Sequence, residues 1–383
     1  MTDLLSDELL ARIHSRAAGY DRDNAFFTED LEDLAAAGYL RAFLPEDLGG
    51  GDASLADVAA AQSRLAAAAP ATALAINMHL VWTGVARLLR RRGDSGLAEV
   101  ERLAAAGEVL AFGISEAGND LVLFGSDTVA TPDADGGYSF SGTKIFTSLA
   151  PAWTTLGVTG LDTTSADGPK IVYALVSRDG VTTADDWDTL GMRASQSRTT
   201  VLDGAHAPAD RVLRRLDPGP NADPLVFAIF AIFETLIASV YTGISGRALE
   251  LAVEAVTRRR SKRTGASLAD DPDLRWRIAD AAIAHDALWP QIAAVATDIE
   301  NEVDRGSQWF RALVGLKTRA TETARVVVDQ AIRVAGGSSF FAANELSRLY
   351  RDVLAGIFHP SDPESAHGTV ATALLGPIGT ERS

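Results

Sequence analysis

The hydrophobic positions of this chain change period twice. Over residues 1–108 they recur at helical spacing: "SDELLARIHSRAA" opens on a serine able to cap a helix, "TEDLEDLAAAGYL" stops near Gly38, and "LADVAAAQSRLAAAA" follows a turn in which Ser54 is placed as its cap. From 109 to about 215 the pattern shortens to alternating runs such as "VLAFGIS", "GGYSFSGTKIFTS", "KIVYALVS" and "RTTVLDGAHAP", with "DADGG" reading as a hairpin turn. After a linker-like "DPGPNADP" at 217–224 the helical period returns. It predicts helices over 225–264, 271–304, 307–335 and 342–356, with one more in the tail. A strand-dense block between helical blocks implies an α+β, multidomain chain whose middle is a small barrel or sandwich.

Composition narrows the function. With 47% hydrophobic and 22% charged residues the chain is globular in type. A net charge of −16, from 51 acidic and 35 basic residues, disfavours nucleic acid and anionic membranes as partners. The absence of cysteine excludes disulfides, zinc–thiolate sites and thiol nucleophiles. "MTDLLSDELLARIHSR" carries early acids and no apolar core of a signal peptide, so a cytoplasmic location is expected.

The longest apolar run, "PLVFAIFAIFETLIASVYTGISG", is long enough to raise a membrane span. Glu234 near its middle would cost about 2.5–3.5 kcal/mol on insertion scales, so a buried core helix is the better reading. That acid is the sharpest chemical feature of the sequence. It faces water or a neighbouring subunit, it pairs with a bundle arginine, or it is a base whose pKa burial has raised.

Five blocks in order resemble the acyl-CoA dehydrogenase superfamily, over about residues 30–375: "LAAAGYLRAFLPEDLGG", "FGISEAGND", "GGYSFSGTKIFTS", "LGMRASQSRTTVLDGAHAPADRVL" and "AIRVAGGSSFFAANELSRLYRD". The resemblance implies an N-terminal helical domain (1–108), a middle β-barrel-like domain (109–220) and a C-terminal four-helix bundle (221–383), assembled as a homotetramer or homodimer. It also implies a flavin, FAD by default and FMN if the chain is a monooxygenase. By position, Phe112, Ile114 and Ser115 would line the isoalloxazine, Phe146 would stack on it, and the Ser148 hydroxyl would bond near N5. Arg260, from the basic run "RRRSKR", would meet the FAD pyrophosphate, and Gly336 and Gly337 of a neighbouring subunit would let backbone approach the dinucleotide. Where the family usually has Gln the chain has Arg333.

The family's usual base is missing: its glutamate position falls at or beside Pro360 in "RDVLAGIFHPSDPE". Two readings repair this. Glu234 lies in the register of the minority that carries the base on the first long bundle helix. It would take the α-proton of an acyl thioester while a β-hydride passes to the flavin, with an electron-transfer flavoprotein as electron acceptor. Alternatively His359 and Ser148 support oxygen activation in a two-component monooxygenase, fed reduced flavin by a partner reductase. The dehydrogenase is the leading expectation, the monooxygenase its rival, and a non-catalytic flavin-binding protein a third reading. His206 and His367 are expected at the surface.

Overall fold

The structure, a computed structural model, describes residues 4–119 and 121–378. Helices α1 (Asp7–Asp23), α2 (Thr28–Ala36), α3 (Leu55–Ala68), α4 (Pro70–Arg91) and α5 (Ala98–Ala105) precede the strands. Ser6 caps α1 by accepting from the Leu9 N–H at 3.2 Å, and Ser54 caps α3 by accepting from Asp57 N–H at 3.1 Å. Both capped starts were legible in the sequence.

The middle is one continuous sheet of β1 (Leu110–Gly113), β2 (Val129–Pro132), β3 (Tyr138–Thr147), β4 (Thr155–Asp162), β5 (Lys170–Val176), β6 (Val181–Thr183), β7 (Arg198–Ala207) and β8 (Val212–Leu216). Its order is β6-β7-β3-β2-β4-β5-β8, with β1 and β2 both running parallel to β4 along one edge. Strands β5 and β7 touch although three strands separate them, so the sheet rolls over itself as a barrel does. Helix α4 is locked onto it by Trp82, whose indole N–H donates to the Ala111 carbonyl at 3.0 Å. Gly157 of β4 makes room for that ring: a Cβ there would lie 2.2 Å from the indole.

The last part is helical: α6 (Pro224–Arg258), α7 (Pro272–Asp286), α8 (Leu288–Glu300), α9 (Gln308–Ala335), α10 (Glu345–Val353) and α11 (Pro363–Leu375). Helix α6 is apolar all round because it is a core helix, packed on α9, α3 and α4. Its most apolar 18-residue window, long enough to cross a membrane, is 89% buried inside the protein. Two expected helices are corrected. The first stops at Arg258, where five basic residues fall within six positions. The second, expected over 271–304, divides at Ala287, because Pro290 has no N–H for the Asp286 carbonyl and its ring would clash there.

A buried ion pair sits inside the sheet. Lys144 Nζ lies 2.6 Å from Glu116 Oε1, and the carboxylate also accepts from Ser126, Thr128 and the N–H groups of Asp127 and Thr128. Burial works against this carboxylate, but Lys144 and these donors outweigh it and hold its pKa down at about 2. Burial draws the lysine down to about 8. Both values fall, the carboxylate's because Lys144 and its other donors favour the charged form, and the lysine's because burying the ammonium costs more than Glu116 returns.

Two outcomes follow from this pair. Lys144→Met strands a buried carboxylate and destabilises the protein by about 3–5 kcal/mol, whereas Glu116→Gln with Lys144→Met loses much less, as compared by urea unfolding. Because the folded pKa of Glu116 is depressed, its contribution is full above pH 4.5 and fades as pH falls toward 2, which thermal midpoints along the acid limb will record.

Candidate active site

Two loops meet where the sheet faces the last helices. One runs off the end of β3 (146–150); the other, 190–197, precedes β7. They are stitched by the N–H of Leu149 to the Ser195 carbonyl (3.2 Å) and of Ala150 to that of Gln196 (3.3 Å). Eight described non-glycine residues have positive φ, and four of them are here: Phe146, Leu149, Met192 and Gln196. A left-handed backbone at bulky residues is costly and persists only where surroundings enforce it. The product is a chain of buried hydroxyls: Ser148 to Ser197 at 2.7 Å, and Ser197 to Ser195 at 2.8 Å. Beside it the Phe146 ring is 54% exposed and meets Trp187 edge-on at 6.2 Å.

Helix α10 grips the second loop. Asp352 accepts from the Met192 N–H at 2.6 Å, and Arg351 donates to the Leu190 carbonyl and to Asp21. Gly191 permits this approach, since a Cβ there would lie 2.3 Å from the Arg351 carbonyl oxygen. The start of α10 is fixed to α6 by Glu345, which receives two bonds from Arg247 at 3.1 and 3.0 Å. Burial raises the Asp352 pKa to about 6.

The chain leaving α10 forms the opposite side. Lys317 of α9 is fully buried and its Nζ donates to the carbonyls of Gly356 (3.0 Å), His359 (3.1 Å) and Ser361 (2.9 Å). Three acceptors call for three N–H donors, so the ammonium form fits although burial lowers the lysine's pKa. The turn thus held brings His359 Nε2 within 2.8 Å of the Tyr241 hydroxyl on α6. The histidine is half-buried, and burial first, then repulsion from Lys317, lowers its pKa to about 3. It is neutral at physiological pH.

Glu234 stands two turns before Tyr241 on the same helix and is 1% exposed. It does not face water, and among the described residues neither carboxyl oxygen has an ion-pair or hydrogen-bond partner. Burial raises its pKa; Ser361 and Lys317 stand near enough to oppose that, without closing a hydrogen bond or an ion pair.

The remaining predicted residues are dispersed along this junction. Phe112 lies between Trp82 (5.3 Å) and Phe233 (6.2 Å), joining β1 to α4 and α6. Ile114 is buried, and the Ser115 carbonyl accepts from the Ile145 N–H at 2.9 Å. Arg260 is exposed in the turn after α6, its Nε donating to its own loop at Gly265. Within this chain it is Arg259, not Arg260, that reaches the glycine pair: its guanidinium donates to the Ala335 carbonyl at 2.6 Å beside Gly336. At Gly337 a Cβ would meet nothing within 4 Å, so backbone there faces open space. Arg333 pairs with Asp329, His206 with Asp133, and His367 is exposed.

Sequence reading passed over Tyr241, Lys317, Ser195 and Ser197. Lys317 had left a signal, since it occupies the apolar stripe of α9 between Leu313 and Ala320. Tyr241 could have been found by counting seven residues from Glu234. The two serines, in a loop without periodicity, left none.

Family models for the acyl-CoA dehydrogenase N-terminal domain match residues 3–94, and for its C-terminal domain residues 235–361. An amino sugar nitrososynthase of Streptomyces rubradiris is 32% identical over 374 residues, spanning 92% of this chain and 84% of the relative. The crystal structure of a nitrososynthase from Micromonospora carbonacea var. africana superposes with a TM-score of 0.84 at 30% identity, covering 97% of this chain and 95% of that one. The structure of KijD3 in complex with FMN and dTDP-3-amino-2,3,6-trideoxy-4-keto-3-methyl-D-glucose has a TM-score of 0.82 at 30% identity, covering 98% and 93%. With both terminal domain models matched in order and relatives of this identity spanning nearly the whole chain, the protein belongs to the acyl-CoA dehydrogenase superfamily of flavin-dependent oxidoreductases.

Proposed function

We propose that the protein is a flavin-dependent monooxygenase that oxidises the amino group of a nucleotide-linked sugar. The observation that carries this reading is the enclosure of Glu234: its two oxygens present no surface to a carbon acid, and the position of the family's usual base falls at or beside Pro360. The amino-sugar relatives, one of them bound to FMN and a dTDP-amino sugar, supply the substrate class.

The residues fit a flavin. An exposed aromatic ring on strained backbone stands next to the Ser148 hydroxyl, and the glycine at 337 leaves open space at its backbone. Phe112, Ile114, Ser115 and Phe146 would hold the ring, and Arg259 or Arg260 with Gly336 and Gly337 the phosphate end. FMN, the flavin of the KijD3 complex, is the proposed cofactor. When bound and reduced, flavin supplies two electrons for activating O2. Amine, O2, two electrons and two protons then give hydroxylamine and water. Ser148, whose hydroxyl has one proton to give, would offer it at the edge of the ring where oxygen reacts. The neutral His359, with Nε2 engaged by Tyr241, offers its other nitrogen to the substrate amine or to oxygen.

A second reading keeps the dehydrogenase, because a carboxyl group buried without partners would be a strong base once a substrate opened the helix face. One pair of variants separates the two. With reduced FMN, O2 and a dTDP-amino sugar, His359→Ala lowers turnover about 100-fold while Glu234→Gln stays near the unchanged rate. Anaerobic bleaching of the flavin by an acyl-CoA, abolished in Glu234→Gln, would instead establish the dehydrogenase.

The histidine also leaves a pH signature. Its folded pKa of about 3 lies below the ordinary 6.5, so keeping it neutral costs stability progressively as pH falls from about 6.5 toward 3. The difference in thermal midpoint between the unchanged protein and His359→Gln therefore narrows from pH 7.5 to pH 5.

A further inference from the structure

We infer that Ser195 and Ser197 form a one-way hydrogen-bond relay that fixes Ser148 as a donor, making both of them positioning residues for the flavin. The inference rests on the flavin reading above and assigns roles that the fold alone does not. Each serine hydroxyl carries one proton and can accept two. Ser195 is fully buried, and among the described residues its hydroxyl meets only Ser197, at 2.8 Å. If Ser195 accepted from Ser197, its own proton would be stranded in the interior, where an unmade bond is expensive. Ser195 therefore donates to Ser197.

The next step is then fixed. Ser197 has one proton left to place, and its other neighbour is the Ser148 oxygen at 2.7 Å. Ser197 donates to Ser148, and the Ser148 proton is left over with no described protein acceptor. The surplus donor is thus moved from the sealed end of the chain to Ser148, the residue that follows the exposed Phe146 by two positions. Without the relay, the Ser148 hydroxyl could turn and donate back to Ser197. With it, the donor is set before any acceptor arrives, so no reorganisation is needed at that moment.

The polarity depends on the backbone as well. The two bonds between the loops and the left-handed turns at Leu149 and Gln196 hold the three oxygens at this spacing. That accounts for strain kept at four bulky or polar residues in a region where glycine would be easier.

The test is FMN binding to the full-length protein, read by flavin fluorescence and by the position of the visible absorption band, with thermal midpoints as the folding control. Ser148→Ala and Ser197→Ala are expected to weaken FMN by a similar about three- to tenfold and to shift the band alike. Ser195→Ala gives a smaller change of the same kind, Ser197→Thr restores both readouts, and the Ser148→Ala/Ser197→Ala double variant loses no more than either single. Ser197→Ala with the affinity and band of the unchanged protein, beside an altered Ser148→Ala, would overturn the relay while leaving the flavin reading intact. No binding of FMN or FAD by the unchanged protein would overturn the flavin reading and the relay together.

Discussion

One buried ammonium organises the helical side of the site. Lys317 closes three carbonyls of the turn after α10, and those carbonyls would otherwise be left unsatisfied inside the bundle. The turn it holds carries His359 to Tyr241 and lays Ser361 beside Glu234. Burial first, and then the same charge, keep His359 from accepting a proton, and the charge opposes the neutralisation that burial favours at Glu234. A single side chain therefore sets the shape of the turn and adds its charge to the burial that governs His359 and Glu234.

The strand side is built by a different means. There the backbone is forced into left-handed turns, and bonds between two loops hold a row of hydroxyls. Helix α10 couples the two halves: it is pinned at one end to α6 through Glu345, grips the loop around Met192 with Asp352, and continues into the turn that Lys317 holds. The two halves thus share one short helix. Such rigidity suits chemistry in which reactive oxygen must meet only its intended acceptor.

The fold was legible in the sequence because period and capping residues agree with the tertiary structure almost everywhere. The switch from helical to alternating pattern near residue 109 and back near 224 is the switch observed, and Ser6 and Ser54 cap as their spacing implied. The split of the helix at Ala287 was missed although Pro290 announced it. The site was legible only in part. Glu234 was conspicuous as one acid in an apolar helix, and His359 as the histidine where the family's usual acid is absent. What surrounds them was not, since the neighbours come from positions 127 and 118 residues away along the chain: Ser361 lies beside Glu234 and Tyr241 bonds His359. Spacing reports which face a residue takes, not which distant residue faces it.

In the proposed reaction oxygen, rather than hydride, is transferred at this junction. The direct measurement is mass spectrometry of the product formed from a dTDP-amino sugar under isotopically heavy O2 with reduced FMN. The nitrogen is expected to gain an oxygen atom carrying the heavy label. A product whose new oxygen comes from water, or an unsaturated product without new oxygen, would contradict it.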